Sequence, residues 1–579
     1  MNLKSRFQSS AFIILVLLLA SVIRLWDLSN TPISLYWDEM DVGYQAYSIL
    51  NTGKDYFGNF LPLTPHSFAD FRAPVFIYLT IPFIQVFDLT ALGVRLPAAV
   101  AAVVSIYLIF LVAKEILENK KLALIAALIL AFSPWHIHYS RMSFEATTML
   151  TFFLLGVYGF FKGLKAPKWF IVSSIGFSLS MWTYNTAKLF VPLTIFILAV
   201  LFFKSIKTNF KKPLLIALLI FIIQGALLFY SNFFMEGGQR FSEISVFTDP
   251  QIASKVDYLR FQSALSFSEN QRADQQTRLI DKIVYNKPIL ILDRLSANFI
   301  EVFSTEFLFL SGDPNLRHSA SIVGQFYRIE FLTFILGLAV LITNLKKRKM
   351  VFLSLWILTA PIPAIFTRDG GNHATRLFFL LPALILVITL GVGFMGEIFT
   401  GKIKKIAFIG YFLIFFFQAS IFLNFYFGAY SWESGEGFQD GFSQLVRKAI
   451  ELKGEYDYVI IDDRRDSALM SYLFESKMDP VSFQSGVNNM KVELLPRFEA
   501  LKLDNIYFMF PSEKNWYGVF DENKLSGKVL LIASAKQMDN TSPEKVAGKL
   551  TNKQKLLGTI RYKSGIPAFY IIESKNAEN

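Results

Sequence analysis

Cysteine is absent from the 579 residues, which excludes disulfides, thiol nucleophiles, Cys-ligated zinc and iron–sulfur clusters. Charge is scarce as well: Asp, Glu, Lys and Arg together make up 18%, against about a quarter in ordinary soluble domains. Acids are the scarcer sign, 45 against 57 Lys and Arg, so a formal net charge of +12 arises in a chain poor in both. A basic nucleic-acid binder reaches its excess through abundant bases, and no nucleic-acid partner is expected here. Apolar residues fill the chain instead, at 53% hydrophobic and 16% aromatic with 61 Phe. Mean hydropathy is +0.42, the value of a chain largely dissolved in lipid.

A span needs about 20 apolar residues to cross about 30 Å of hydrocarbon. Eleven stretches approach this: Ala11–Trp26, Val94–Ala113, Leu122–Trp135, Ala146–Phe161, Trp169–Trp182, Leu189–Phe203, Pro213–Tyr230, Phe331–Leu345, Met350–Phe366, Leu377–Ile398 and Ile406–Phe425. Trp169–Trp182 and Leu189–Phe203 also suit a re-entrant pair, which leaves the parity unchanged. Alternate gaps are basic: Lys4 and Arg6; Lys114, Lys120 and Lys121; Lys162, Lys165 and Lys168; Lys204, Lys207, Lys211 and Lys212; Lys346 to Lys349; Lys402, Lys404 and Lys405. The positive-inside rule makes these gaps and the N-terminus cytoplasmic. They hold 19 bases against Glu115, Glu118 and Glu397, a surplus of 16 that leaves 12 − 16 = −4 for everything else. The basic excess is thus an orientation signal.

The expected architecture is a polytopic α-helical membrane protein with about 11 transmembrane helices over residues 1–425, followed by an extracytoplasmic α/β domain at 426–579. A first outer loop covers 27–93 and a second large one 231–330, the latter with helical pieces lying on the bilayer. All five His, at 66, 136, 138, 318 and 373, fall in outward gaps. After the linker Ser434-Gly435-Glu436-Gly437, the tail predicts an amphipathic helix near Phe438–Leu452 and a buried strand at Tyr458–Ile461. A helix around Ser467–Lys477, strands near Ile506–Phe510 and Val529–Ala533, and a closing hairpin follow.

Chemistry-bearing residues cluster on the outward gaps. In Trp37-Asp38-Glu39-Met40-Asp41, helical geometry puts Asp38 and Asp41 on one face with Glu39 about 100° away. The plain alternative is a solvated helix start whose acids suit the helix dipole. Asp70-Phe71-Arg72-Ala73-Pro74 opens an apolar stretch, Val75–Phe87, too short and Pro-broken for a span and suited to the interface. Arg72 would stand at headgroup depth, where a guanidinium either grips a phosphate bidentately or simply snorkels. His136 and His138, at i and i+2 without a nearby carboxylate partner, are a weak metal signature. Arg141 and Glu145, at i and i+4, have the spacing of a helical ion pair. Tyr184 to Lys188 and Arg368 to Arg376, the latter with His373, again set cations beside hydrogen-bonding side chains. Gly391-Val392-Gly393-Phe394-Met395-Gly396 mimics a dinucleotide fingerprint but lies inside an apolar span, where close helix packing explains it.

Taken in order, these motifs resemble the polyprenyl-phosphate-sugar glycosyltransferases of the GT-C superfamily, the group of protein O-mannosyltransferases, aminoarabinose transferases and their bacterial homologues. The likeness lies in Trp37-Asp38-Glu39, Phe71-Arg72-Ala73-Pro74, Arg95-Leu96-Pro97, Ser140-Arg141 with Glu145, Tyr184 to Lys188 with Pro192, Gly312-Asp313-Pro314-Asn315 with Arg317 and His318, and His373 with Arg376. The resemblance implies a GT-C fold in the bacterial cytoplasmic membrane with a cavity at the outer face. It implies Asp38 as general base with Glu39 orienting it or the acceptor, and Arg72, Arg141, Lys188 and Arg376 neutralising the departing phosphate. Asp41, Asp70, Glu145, Tyr184, His138 and His373 would support them. The donor would be a lipid-linked sugar and the acceptor a glycan, lipid or protein, among membrane lipids. No Asp-x-Asp motif stands beside the base, so no metal or other cofactor is expected. Arg72-Ala73-Pro74 departs from the Lys-Pro-Pro of aminoarabinose transferases, which leaves the sugar open. The competing reading is a flippase or transporter of a lipid-linked or charged solute, although span centres nearly free of charge weigh against it.

Overall fold

The computed structural model describes residues 3–68, 71–208, 211–234, 243–267, 278–463, 467–495, 498–509, 525, 527–536, 538 and 542–575. The chain forms two compact units that interleave in sequence. One comprises Met1–Ile23, Val100–Ser140 and Glu145–Phe422; the other comprises Arg24–Ala99, Arg141–Phe144 and Leu423–Asn579.

The first unit is helical. Among the described residues seven helices are long and apolar enough to cross a bilayer: Ala91–Ile116, which enters this unit at Val100, Glu145–Gly163, Ala187–Thr208, Lys212–Phe234, Arg348–Ile365, Leu380–Ile398 and Gly401–Phe427. Lys120–Phe132 and Pro134–Ser140 form a further candidate bent by 57°. The bend falls where Ser133, extended ahead of Pro134, cannot continue the helix. Shorter helices at Ser10–Leu25, Trp169–Met181 and Arg328–Thr343 occupy the remaining three expected spans. Lys212–Phe234 and Gly401–Phe427 are only 22% buried over their apolar windows, and the rest of their surface is suited to hydrocarbon.

Ion pairs bring three of the basic gaps together. Lys165 Nζ is 2.6 Å from Glu115, with Lys162 at 3.9 Å, and Lys349 Nζ is 2.7 Å from Glu118. Gaps 114–121, 162–168 and 346–349 therefore share one end of the unit, as the alternation of charge requires. The intervening gaps 133–140, 313–318 and 367–376 also meet: His138 Nε2 lies 2.9 Å from the Arg317 carbonyl oxygen, and Tyr139 and Thr375 hydroxyls are 2.7 Å apart. Close packing explains Gly391, the first glycine of the false fingerprint. A Cβ on Gly391 would strike the Thr333 carbonyl oxygen, and one on Gly337 the Val387 carbonyl oxygen, so these two helices touch backbone to backbone.

The second unit is built on a seven-stranded sheet. Its strands are β1 (Tyr458–Asp462), β2 (Lys491–Leu495), β3 (Phe498–Leu503), β4 (Ile506–Met509), β5 (Lys528–Ser534), β6 (Gln554–Arg561) and β7 (Pro567–Lys575), in the order β2-β3-β4-β1-β5-β7-β6. β1 runs parallel to β4 and β5, and the outer pairings are antiparallel. A strand buried on both faces reads as an uninterrupted apolar run, which is what Tyr458-Val459-Ile460-Ile461 is. On one face the sheet packs with helices Phe442–Leu452 and Ser467–Glu475 and with the first-loop helices Trp37–Thr52 and Pro74–Phe87 in a single core. Gly43 permits the closest approach, since a Cβ there would stand 2.7 Å from Val94 and 2.9 Å from Phe474. The first outer loop and the tail are therefore one folded body.

Candidate active site

Helix Trp37–Thr52 begins after the extended Tyr36 and ends at Gly53, whose φ of +70° lets its N–H reach the Ile49 carbonyl at 2.9 Å. Asp38 and Glu39 occupy the first turn, at the positive end of the helix dipole. Asp41 shares a face with Asp38, and Arg72 meets both: one guanidinium nitrogen contacts Asp38 Oδ1, and Nε is 3.1 Å from Asp41 Oδ2. The guanidinium also lies 5.4 Å from the centre of the Trp37 ring. Exposure separates the partners. Asp41 is 1% exposed, Arg72 6% and Asp38 20%, so Asp38 is the carboxylate that a solute reaches.

Asp41 is fixed from its other side, where Oδ1 accepts from Tyr56 Oη at 2.6 Å and Ser67 Oγ at 3.0 Å. Burial raises its carboxyl to about 6, against the opposing pull of Arg72 and Tyr56. Burial, with Asp41 beside it, holds the Tyr56 phenol far above its ordinary value, so that group stays a donor. Tyr56 and Ser67 carried no sequence signal.

Glu39 points elsewhere. Its carboxylate takes Arg95 Nε at 3.0 Å and Nη2 at 3.1 Å, and the Ser143 backbone N–H at 2.8 Å, all out of contact with water. Arg95 also donates to the carbonyl oxygens of Leu28, Pro32 and Ser34 at 3.1, 2.8 and 2.6 Å. Glu39 thus anchors the loop to the root of helix Ala91–Ile116. Arg141 spends its donors in a similar way, on the carbonyls of Trp26 (2.7 Å), Asp27 (3.2 Å) and Thr31 (3.0 Å), and its guanidinium stands 4.7 Å from the Phe427 ring centre. Asp70 lies outside the described residues.

The remaining residues expected at the site belong to the helical unit. Lys188 Nζ donates to Asn232 Oδ1 at 2.9 Å. Arg376 contacts Asp369 and donates to Thr367 Oγ1 at 2.7 Å. Glu145 opens its helix, and Tyr184 closes the turn into the next by accepting the Ala187 N–H at 3.1 Å. His373 stacks 4.5 Å from His318, whose Nδ1 is 3.0 Å from Asp313 Oδ2. Asp313 and His318 stand five residues apart in sequence and His373 much further on, so their convergence was visible only as three polar residues on outward gaps.

Residues 71–229, which include Arg72, Arg95, His138, Arg141, Glu145, Tyr184 and Lys188, match the model of the dolichyl-phosphate-mannose-protein mannosyltransferases. No curated protein sequence matches the chain. Among solved structures, the apo oligosaccharyltransferase of Archaeoglobus fulgidus aligns with a TM-score of 0.49 at 11% identity, over 82% of this chain and 65% of that one. The chain therefore spans about two thirds of the oligosaccharyltransferase's length. ArnT from Cupriavidus metallidurans aligns with a TM-score of 0.41 in its apo state, at 11% identity and over 98% of both chains. ArnT bound to undecaprenyl phosphate gives 0.42, at 11% identity, over 97% of this chain and 98% of that one. These structural likenesses are loose, and the sequence likeness is confined to residues 71–229, which are similar to the dolichyl-phosphate-mannose-protein mannosyltransferases.

Proposed function

We propose that the protein transfers a sugar from a polyprenyl-phosphate donor to an acceptor hydroxyl at the outer face of a bacterial cytoplasmic membrane, inverting the anomeric centre, with Asp38 as general base. The observation that carries this reading is the triplet Asp38–Arg72–Asp41, in which one partly exposed carboxylate stands against a buried guanidinium. Asp38 takes the acceptor's hydroxyl proton while the oxygen bonds to the anomeric carbon and the bond to the phosphate oxygen breaks on the opposite face. The leaving group departs as a phosphate anion, so it needs cations more than a proton donor. Arg72 is suited to both stages: a donor phosphate competes with Asp38 for the guanidinium, and a carboxylate relieved of that partner is a stronger base.

In this reading Glu39 and Arg141 are positioning residues, because their polar atoms are engaged with Arg95 and with backbone carbonyls. The grouping of basic gaps at one end of the helical unit supports a cytoplasmic N-terminus and an external tail. The tail serves first to hold the helix of Asp38.

The test is direct. Purified protein is incubated with a panel of polyprenyl-phosphate sugars and acceptor extracts, and products are read by mass spectrometry and anomeric NMR. A glycosylated acceptor of inverted configuration is expected. Counter-flow of the donor through proteoliposomes without any covalent product would replace this reading with transport.

A further inference from the structure

We propose that Asp313, His318 and His373 form a binding site for a divalent first-row transition metal of the zinc class. Asp313 and His318 lie in the loop after the π-helical turn Glu306–Leu310, and His373 in the turn that leads into helix Leu380–Ile398. One ligand atom from each can be chosen so that all three lie within 4.8 Å of one another. Bonds of about 2.0–2.2 Å at tetrahedral angles place ligand atoms roughly 3.3–3.5 Å apart, inside the 4.8 Å within which the three ligand atoms lie.

Three features separate this group from an ordinary Asp–His hydrogen bond. The first is the second imidazole: an Asp–His pair at 3.0 Å is complete without it, yet the His373 ring centre stands 4.5 Å from that of His318. The second is that the carboxylate is held in place beforehand. Asp313 Oδ1 accepts the Asn315 N–H and Oδ2 the Ala374 N–H, each at 2.9 Å, so the same side chain ties together both ligand-bearing segments. Backbone donors to a ligating carboxylate are the outer-shell support that metal sites use. The third is the donor set. Two imidazoles and one carboxylate favour zinc, cobalt, nickel or iron(II) over magnesium and calcium, which prefer oxygen alone. Three protein ligands leave a fourth position for water or a substrate oxygen, the pattern of an open site rather than a closed structural one. Asp313 is buried and His318 nearly so, which limits competition from solvent.

This inference is independent of sugar transfer, and its test reads metal directly. The full chain, purified in detergent without a polyhistidine tag, is stripped with EDTA and dialysed against buffered zinc or cobalt(II). A single equivalent of zinc is expected, together with visible cobalt(II) bands of imidazole and carboxylate ligation and a zinc-dependent rise in Tm. His318→Ala and His373→Ala should each weaken binding by about 100-fold or more, whereas His66→Ala, in the other unit, should leave it unchanged. Failure of the parent to retain zinc or to develop the cobalt bands would overturn the proposal, a readout that holds even if a variant fails to fold. Equal zinc affinity in the parent and both folded variants would overturn it as well.

Discussion

Gln439 accepts a hydrogen bond from the backbone N–H of Trp37, 2.7 Å long and spanning 402 residues of sequence. Its amide nitrogen donates in turn to Ser467 Oγ at 2.7 Å. The first turn of the helix that bears Asp38 is therefore held by the tail. Phe438 packs edge-on against Tyr36 at 5.9 Å, and Gln484 reaches Ser48, Thr52 and the Asp55 carbonyl near the helix's other end. Leaving a partly buried N–H unpaired costs about 1–3 kcal/mol. Gln439→Ala should lower the thermal stability accordingly and slow transfer about tenfold or more by loosening the base. Gln439→Glu keeps the acceptor for Trp37 and should retain more activity than Gln439→Ala in the same assay.

The Glu39–Arg95 pair predicts a larger loss. Both side chains are fully buried, and Arg95 satisfies three carbonyls besides the carboxylate. Removing one partner of a buried pair costs about 3–5 kcal/mol because the other charge is stranded. Arg95→Ala should not accumulate as folded protein, and Arg95→Lys should rescue it poorly, since an ammonium lacks the fork that meets four acceptors at once. Detergent-stable yield and Tm are the measurements.

Asp41 predicts a pH dependence of stability. Its folded pKa, about 6, lies above the ordinary 3.8, so the folded chain holds this proton more tightly than the unfolded one. The group's contribution is full below about pH 4 and is lost as pH rises through about 6, on the order of 3 kcal/mol across the window. Asp41→Asn removes the titrating proton while keeping an oxygen for Tyr56 and Ser67. Its unfolding free energy should lack that decline when parent and variant are compared by denaturant melts from pH 4 to 7.

The lack of cysteine makes orientation simple to test. Lys347→Cys, exposed in a basic gap, should react with an impermeant maleimide only in inside-out vesicles, and Lys553→Cys, exposed on the tail, only in intact cells. The reverse pattern would invert the topology.

The parts of this protein written in local spacing were legible in its sequence. Apolar runs located the seven helices that, among the described residues, are long and apolar enough to cross a bilayer, and the three-residue step from Asp38 to Asp41 put both carboxylates on one face, where Arg72 meets them. Charged residues obscured the β2–β3 hairpin: Lys491, Glu493, Glu499 and Lys502 interrupt it, and its register shifts between Glu493 and Leu495. Helix Trp37–Thr52 carries no mark that half its partners lie in the tail, because burial of Gly43 against Phe474 is a property of the fold and not of either segment. Arg95 likewise read as the start of a span, since a cation at a helix root looks the same whether it meets headgroups or a buried Glu39.

Sugar transfer by Asp38→Asn decides whether this carboxylate is the base. The substitution preserves shape and a contact to Arg72 while removing the proton acceptor, so the variant should fold with the Tm of the parent within a few degrees and bind the donor. Its turnover should fall by at least about 10²-fold, the low end of what a general base contributes. A folded Asp38→Asn protein that transfers sugar at near the parental rate would contradict the assignment and move the search for the base to another residue.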